Sequence, residues 1–462
     1  MDDVTPAAVA AAPSQQLVGH LTQLTLNGLG ARVVREARIR LLDGLGCGLY
    51  GAQMPWGKIV AEVAYAENSQ GNATVFGRRE PIAPARAALC NGTATHGIEL
   101  DDIVPGAHVH PGAVVIPAAL AAAEQCGASG ERLLLGLVAG YEAMARVGLA
   151  IGEAGWGFHI TGVAGPVAAA VAAGVVMGLP YESVMRAVGI ACSNAAGIKS
   201  FTQGSGGMIK RMHAGRAAES GVLACLLAER GFTAPIAAID GRFGLLEAFG
   251  GDKANPGKLV EKLGEDYAVC RVWTKVYPCC GVLHTAAQAL KSLRDEHDIQ
   301  PAAVKKIRVG TNRRAIALNG AVAPKETMAA QYSLPFVAGV ALAADPKDPR
   351  SFEGGALDDP AVCELARRVE LHADPEIEAM YPRYATKVEV HLINGTRLEA
   401  KLLDAHGTPP DPCGEDEAKE KFRCLASVSN TSTSIAEVLS LVERLDKLPS
   451  VALLSTALRA GV

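Results

Sequence analysis

Acids and imidazoles crowd one short stretch of this 462-residue chain. Within Asn91 to Glu124 a small-residue helical pattern runs into Glu99-Leu100-Asp101-Asp102, a Pro/Gly loop presents His108 and His110, and an Ala-rich helix begins at Pro111. Three readings of this loop are open. Its polar residues could simply cap the flanking helices. His108-x-His110 beside two carboxylates also has ligand chemistry for a metal, although no Cys/His cluster downstream completes it. The third reading is metal-free acid–base chemistry, in which nearby carboxylates tune an imidazole.

Three further segments carry groups of the same kind. In Trp156-Gly157-Phe158-His159-Ile160-Thr161-Gly162, His159 stands just ahead of an Ala/Gly-rich apolar helix, with Thr161 available as its N-cap. A lone His there is ordinarily structural, but the free N–H groups of a helix start favour an anion. Gly204-Ser205-Gly206-Gly207 delivers Lys210 and Arg211, with His213 behind them, to the next helix start. Two cations there suit a carboxylate, whereas the glycines alone mark only a loose loop. Lys275-Val276-Tyr277-Pro278-Cys279-Cys280, with His284 beyond, lies at the expected domain boundary. The Cys pair reads as two small apolar residues. Taken together, these loops fit proton abstraction beside a carboxylate, with cations holding the developing enolate charge. Gly204-Ser205-Gly206 lacks the spacing of a serine-hydrolase elbow.

The elements that must hold these loops fall into two textures. From Gln15 to about Tyr267 the apolar periodicity is helical, as in Val33-Val34, Ala37, Leu41-Leu42 and Leu45. Helices are predicted over Pro84–Cys90, Pro111–Cys126, Glu131–Ile151, Pro180–Ala191 and His213–Arg230, with Gly127 and Gly231 where helices stop. Beyond Arg271, Lys305–Gly310 and Ala385–Leu392 alternate like half-buried strands, and Asn394-Gly395 turns the chain back into Thr396–Ala400. Helical segments lie between them, at Leu334–Ala344 and Pro360–Val369. Helical texture resumes at Glu415–Leu425 and Ile435–Leu445. The fold class predicted is mainly α: a large all-helical domain (residues 1–270 plus 408–462) with a smaller α+β lid domain (271–407) inserted, and a ligand cleft between them.

Composition narrows the function. At 49% hydrophobic and 20% charged residues the chain is globular, and only 5% are aromatic, so the core must fill by close approach of small-residue helices. A net charge of −4 without a basic face or arm argues against nucleic acid. Gly162–Leu179 is apolar throughout but mostly Ala, Gly and Val, and reads as a buried helix rather than a membrane span. The acidic Ala/Pro-rich first fourteen residues lack a signal-peptide pattern, and eleven irregularly spaced cysteines suit reduced thiols, so a cytoplasmic location is expected.

Five marks, in order, resemble the MmgE/PrpD family of 2-methylcitrate dehydratase, cis-aconitate decarboxylase and iminodisuccinate epimerase. They lie at Asn91–Pro111, Gly157–Thr161, Lys210–Gly215, Lys275–His284 and Ala330–Phe336. The resemblance implies a homodimeric enzyme working on a small carboxylate substrate, with neither metal nor organic cofactor, nucleic acid or membrane partner. Carried over by position, its catalytic groups fall on His110, His159, Lys210 and Lys275, with Asp102 orienting an imidazole. Substrate contacts fall on Glu99, Asp101, Ile103, Arg211, His213, Cys280, His284 and Phe336. The chain departs from the decarboxylase pattern at Glu99 (for Asp), Ile103 (for Thr) and Phe336 (for Tyr), while the Lys275 segment matches the epimerase well. The expected activity is a cofactor-independent lyase of dehydratase type, with epimerisation or decarboxylation through the same intermediate as alternatives. A metal hydrolase using His108 and His110, or a non-catalytic binding protein, lies outside that class.

Overall fold

The computed structural model describes residues 11–152, 157–202, 207–429 and 432–459. Trp156 and the loop residues Gly204, Ser205 and Gly206 lie outside the described residues. Among the described residues there are two large apolar cores and a small third cluster of Cys47, Tyr50, Trp56, Ile98, Leu100 and Leu425. The larger joins the helices of the first 270 residues to Phe422, Val438, Leu441 and Leu454 of the C-terminal helices, and the smaller runs from Tyr277 to Val390.

Small residues set the geometry of the larger core. The helix Ile160–Met177 is buried along almost its whole length and packs against Gly112–Cys126, Gly130–Ile151 and Ile209–Glu229. Its apolar length, and that of Gly130–Ile151, would span a membrane, but both are 89% buried among other helices of the chain. Where Pro84–Thr95 crosses Ile209–Glu229, a Cβ on Gly92 would stand 2.8 Å from the Cα of Gly215. Only glycine permits so close a crossing, and it brings the end of one helix, which leads to Glu99, against the start of the other, which carries Lys210.

The smaller unit is built on a four-stranded sheet of order β2-β1-β3-β4. Strand β1 (Val304–Thr311) pairs parallel with β2 (Val369–Ala373) and antiparallel with β3 (Thr386–Leu392), which pairs antiparallel with β4 (Arg397–Leu402). The predicted strands and the Asn394-Gly395 turn are present, with Gly395 at φ 89°. Strand β2 was not predicted. The helix expected to reach Val369 ends at Arg367, and β2 follows after a single residue: Val369, Leu371 and Ala373 do alternate with Glu370 and His372, but over only five residues, none of them fully buried. The helix at the Lys210 loop starts at Ile209, four residues before the predicted start, which puts Lys210 and Arg211 in its first turn.

After β4 the chain returns to the first core through the helix Glu415–Ala426, which packs on Leu26–Gly51. Lys421 on that helix donates to the carbonyls of Leu100 and Lys275, each at 2.8 Å, and pairs with buried Asp43 at 2.6 Å. One ammonium therefore holds the acidic loop and the Lys275 segment together from behind. Removing it leaves a buried carboxylate and two carbonyls without this partner. Lys421→Met should lower the unfolding free energy by about 3–5 kcal/mol. Lys258→Met, which breaks an exposed, solvent-screened pair with Glu261 at 2.7 Å, should change stability far less. Denaturant titration checks both, and equal losses would contradict the clamp.

Candidate active site

The site is organised around Glu99. The helix Pro84–Thr95 runs into a 3₁₀ turn, His96–Ile98, and Glu99 then reverses the chain in the left-handed region at φ 55°. Its carboxylate contacts the Nζ of Lys210 through Oε1 and that of Lys275 through Oε2, the second at 3.2 Å. Lys275 reaches this place because its segment bridges antiparallel to the acidic loop: Ile103 and Trp273 exchange N–H···O bonds of 3.0 and 2.8 Å. All three charged side chains are buried. Burial alone would push the Glu99 carboxyl up, but the two ammoniums outweigh it and hold the group well below its usual range. Burial likewise opposes the charge on Lys275, yet Glu99 and then Asp101 raise its pKa overall. Desolvating three charges is unfavourable unless their mutual contacts offset it, so such a triad is poor evidence of stabilisation and better evidence of a function.

Beside the triad lie four histidines. Asp101 Oδ2 is 2.6 Å from Nδ1 of His96 and 3.3 Å from Nδ1 of His110. The His96 ring stacks on that of His159 with centroids 5.4 Å apart and lies 4.9 Å from that of His110. Nδ1 of His159 is 3.2 Å from Nδ1 of His213, and the edge of Phe201 closes on both rings. His110 is tied to the His159 helix by its own N–H, which donates to Thr161 Oγ1 at 3.2 Å. Thr161 is thus inside the first turn, and His159 itself is the N-cap residue.

His96, His159 and His213 are poised as neutral bases. Burial, then the neighbouring His96 and Lys210, depress His159 well below the ordinary histidine range. Burial brings His96 down to about 4, against the opposing pull of Asp101. Burial and then Lys210 lower His213 as well. Asp101 runs the other way: burial would raise it, but His96 and His110 hold it well below its usual value. An ionised carboxylate only accepts, so it fixes the proton of His96 on Nδ1 and leaves Nε2 as an acceptor. Among the described residues, His96 Nε2, His110 Nδ1 and Asp101 Oδ1 are buried without a hydrogen-bond partner, which leaves them open to a bound molecule. His96, Asp101 and His110 also bring one donor atom each within 4.8 Å of one another, which a metal ion could use.

Several expectations need correcting. Asp102 does not orient an imidazole. Its Oδ1 accepts from Gly112 N at 2.8 Å and its Oδ2 from the Tyr141 hydroxyl at 2.7 Å, and burial, then Asp43, raises its pKa to about 7. It caps the helix Gly112–Cys126, and Asp101 holds the rings instead. Arg211 donates to the carbonyls of Gly97 and Gly207 at 2.8 and 3.1 Å and lies 3.9 Å over the Trp56 ring, so it braces the Glu99 turn. Phe336 is in the smaller core, 6.1 Å from Phe352 by ring centroids, rather than among the charged groups. The nearby Tyr332 faces the site, with Lys210 Nζ 5.5 Å from its ring centre and its hydroxyl pKa raised by burial and then by Glu99. His108 is exposed, at φ 54°, while its supposed metal partner His110 is buried. Ile103 contributes its backbone to the Trp273 bridge, and Cys280 is half-buried, its thiol pushed up by burial and then by Glu99. Two site residues were missed, His96 and Tyr332. Both lie inside the recognised motifs, His96 five residues before Asp101 and Tyr332 in the Ala330–Phe336 segment.

His284 is also placed differently from expectation. It is buried edge-on to Trp273 and Tyr277, with Nε2 3.3 Å from the Cys279 carbonyl, behind Lys275. Burial, then Lys275, lowers its pKa to about 3. Between pH 6.5 and 3 the unfolded chain therefore binds a proton here that the folded chain refuses, so this residue makes stability fall as pH drops through that window. His284→Gln should flatten the pH dependence of unfolding free energy below pH 6.5 by about 1.4 kcal/mol per pH unit. Denaturant titrations from pH 7 to 4 read this slope, and parallel slopes for the two proteins would refute the buried neutral imidazole.

Comparison with known proteins identifies the family. The MmgE/PrpD N-terminal domain model matches residues 15–256 and the MmgE/PrpD C-terminal domain model matches residues 277–446. A cis-aconitate decarboxylase-like protein of Aspergillus oryzae is 29% identical, over 92% of this chain and 96% of its own length. The cis-aconitate decarboxylases of Aspergillus terreus and Homo sapiens are each 27% identical over 96% of this chain, covering 94% and 92% of their own lengths. With both halves matched and the relatives aligned almost end to end, the chain belongs to the MmgE/PrpD family.

Proposed function

We propose that this protein is a lyase that acts on a small di- or tricarboxylic acid by proton transfer at a carbon next to a carboxylate. The observation that carries the reading is the buried Lys210–Glu99–Lys275 triad set against neutral imidazoles. A substrate carboxylate competes with Glu99 for the two ammoniums. Once held, it can accept the electron pair that develops on the adjacent carbon, because the cations stabilise the enediolate-like charge. His159 is the base best placed for the proton, and its 3.2 Å contact with His213 gives that proton a second site.

In dehydration, the base removes the carbon-bound proton and the pair expels a β-hydroxyl, which leaves as water after taking a proton from an imidazolium. In decarboxylation, CO₂ departs, its bonding pair stays on the carbon, and an imidazolium protonates that carbon. The names of the relatives favour the second course. Incubating a panel of small polycarboxylic acids in D₂O and following them by NMR separates the two. Loss of water, or loss of CO₂ with deuterium entering at the carbon it left, supports the lyase. Exchange without loss of either group would contradict it and indicate an epimerase.

The positions can be tested on whichever acid reacts. His159→Ala should lower kcat by ~10²–10⁴-fold. Asp101→Asn should lower kcat substantially and shift the pH–rate profile, since it removes the carboxylate that fixes the His96 tautomer and lies 3.3 Å from His110. Asp102→Asn, which can keep the bond to Tyr141, should change kcat far less. A larger loss at Asp102 than at Asp101 would reverse the assignment.

A further inference from the structure

The connection from β4 back to the helix Glu415–Ala426 carries a second group of chemically capable side chains. His406 Nδ1 lies 3.1 Å from Asp411 Oδ2, while His406 Nε2 lies 2.7 Å from Glu417 Oε1 and 3.7 Å from Cys413 Sγ. His406, Cys413 and Glu417 each offer one ligand atom, and these atoms lie within 4.8 Å of one another. We propose that these three residues bind one divalent cation of the zinc class, with a solvent molecule completing four-coordination.

The donor types support this choice. Imidazole, thiolate and carboxylate together suit zinc, whereas an all-oxygen set would suit magnesium or calcium. Asp411 supplies the outer contact that metal-bound histidines usually have: by accepting from Nδ1–H it leaves the Nε2 lone pair facing the ion. Donors on a tetrahedral zinc stand about 3.5 Å apart, close to the observed separation of sulfur and nitrogen. Glu417 has to open its contact with Nε2 by only about 0.7 Å to match that spacing. Its other oxygen accepts from Gly414 N at 2.8 Å, which anchors the side chain at the helix start. Cys413 is buried, while His406 and Glu417 are 24% and 53% exposed, so an ion has a route in from solvent. On binding, the Cys413 thiol releases its proton to solvent, and no electron transfer is involved.

The location gives the ion a structural role. Gly407 accepts from Thr274 N at 2.9 Å and donates to Asp411 O at 2.8 Å, and Thr274 immediately precedes Lys275. Lys421, which holds the Lys275 and Leu100 carbonyls, is one turn beyond Glu417 on the same helix. A cation at His406 therefore closes the loop that supports the active-site lysine.

Full-length protein stripped with chelator and dialysed against Zn²⁺, then against Co²⁺, tests the site. The expected result is one equivalent of zinc by elemental analysis and a cobalt–thiolate charge-transfer band. Both should weaken at least ~10-fold in affinity in Cys413→Ser and His406→Ala, and Asp411→Asn should weaken zinc binding by ~10–100-fold. The cobalt band in the unmodified protein reports thiolate ligation even if a variant fails to fold. Substoichiometric zinc, cobalt without a thiolate band, or metal retained in Cys413→Ser would overturn the proposal. So would metal lost only in His96→Ala and His110→Ala, which would place it in the candidate active site instead.

Discussion

A buried carboxylate with two buried ammoniums on it is the constraint around which this molecule is arranged. Glu99 is 4% exposed, and neither it nor its partners would remain charged at that depth alone. Each member must therefore be delivered to within a few tenths of an ångström, and each comes from a different part of the chain. The Gly92/Gly215 crossing delivers Lys210, the Ile103–Trp273 bridge delivers Lys275, and Arg211 over Trp56 fixes the turn that carries Glu99. Lys421 then joins the two loops from behind. Much of the packing near the site can be understood as the support this one arrangement needs.

The same burial divides the site into two electrostatic halves. Opposite charges a few ångströms apart keep Glu99, Lys210 and Lys275 as an ion triad. Rings without a full counter-charge, above all His159, are driven neutral instead. Asp101, only two residues from Glu99, lies at the border, where it orients His96 and stands 3.3 Å from His110. Two adjacent carboxylates have opposite fates for a physical reason: Asp101 faces imidazoles, whereas Asp102 faces a phenol and a helix N–H, with Asp43 nearby. Groups whose pKa values are pushed apart within one pocket are what acid–base chemistry at neutral pH requires.

Helices, three of the four strands and the hairpin pairing of β3 with β4 were legible, because most elements have one strongly buried face and Asn394-Gly395 marks the turn. Strand β2 was missed because its five alternating residues directly follow a helix whose pattern was extended into Val369. Of the site, the residue types and the four segments were readable, and Lys210, Lys275, Glu99, His110 and His159 do converge. Sequence could not say which neighbour of a pair points inward. Asp101 and Asp102 differ by one residue around a tight turn, and that step exchanges an imidazole partner for a helix cap. Tyr332 and Phe336 sit four apart about the start of one helix, yet one faces a lysine and the other an apolar core. Arg211 looked like a free cation because its acceptors are backbone carbonyls, which no side-chain motif records.

The central claim is that the two lysines form the carboxylate-binding point and present the adjacent carbon to His159. A crystal structure with an unreactive small dicarboxylate bound tests it most directly. One carboxylate of the ligand should lie within about 3 Å of Lys210 or Lys275 Nζ, in partial exchange for Glu99, with the neighbouring carbon facing the His159 ring. A ligand seated elsewhere, with the Lys210–Glu99–Lys275 contacts unchanged and His159 untouched, would contradict it.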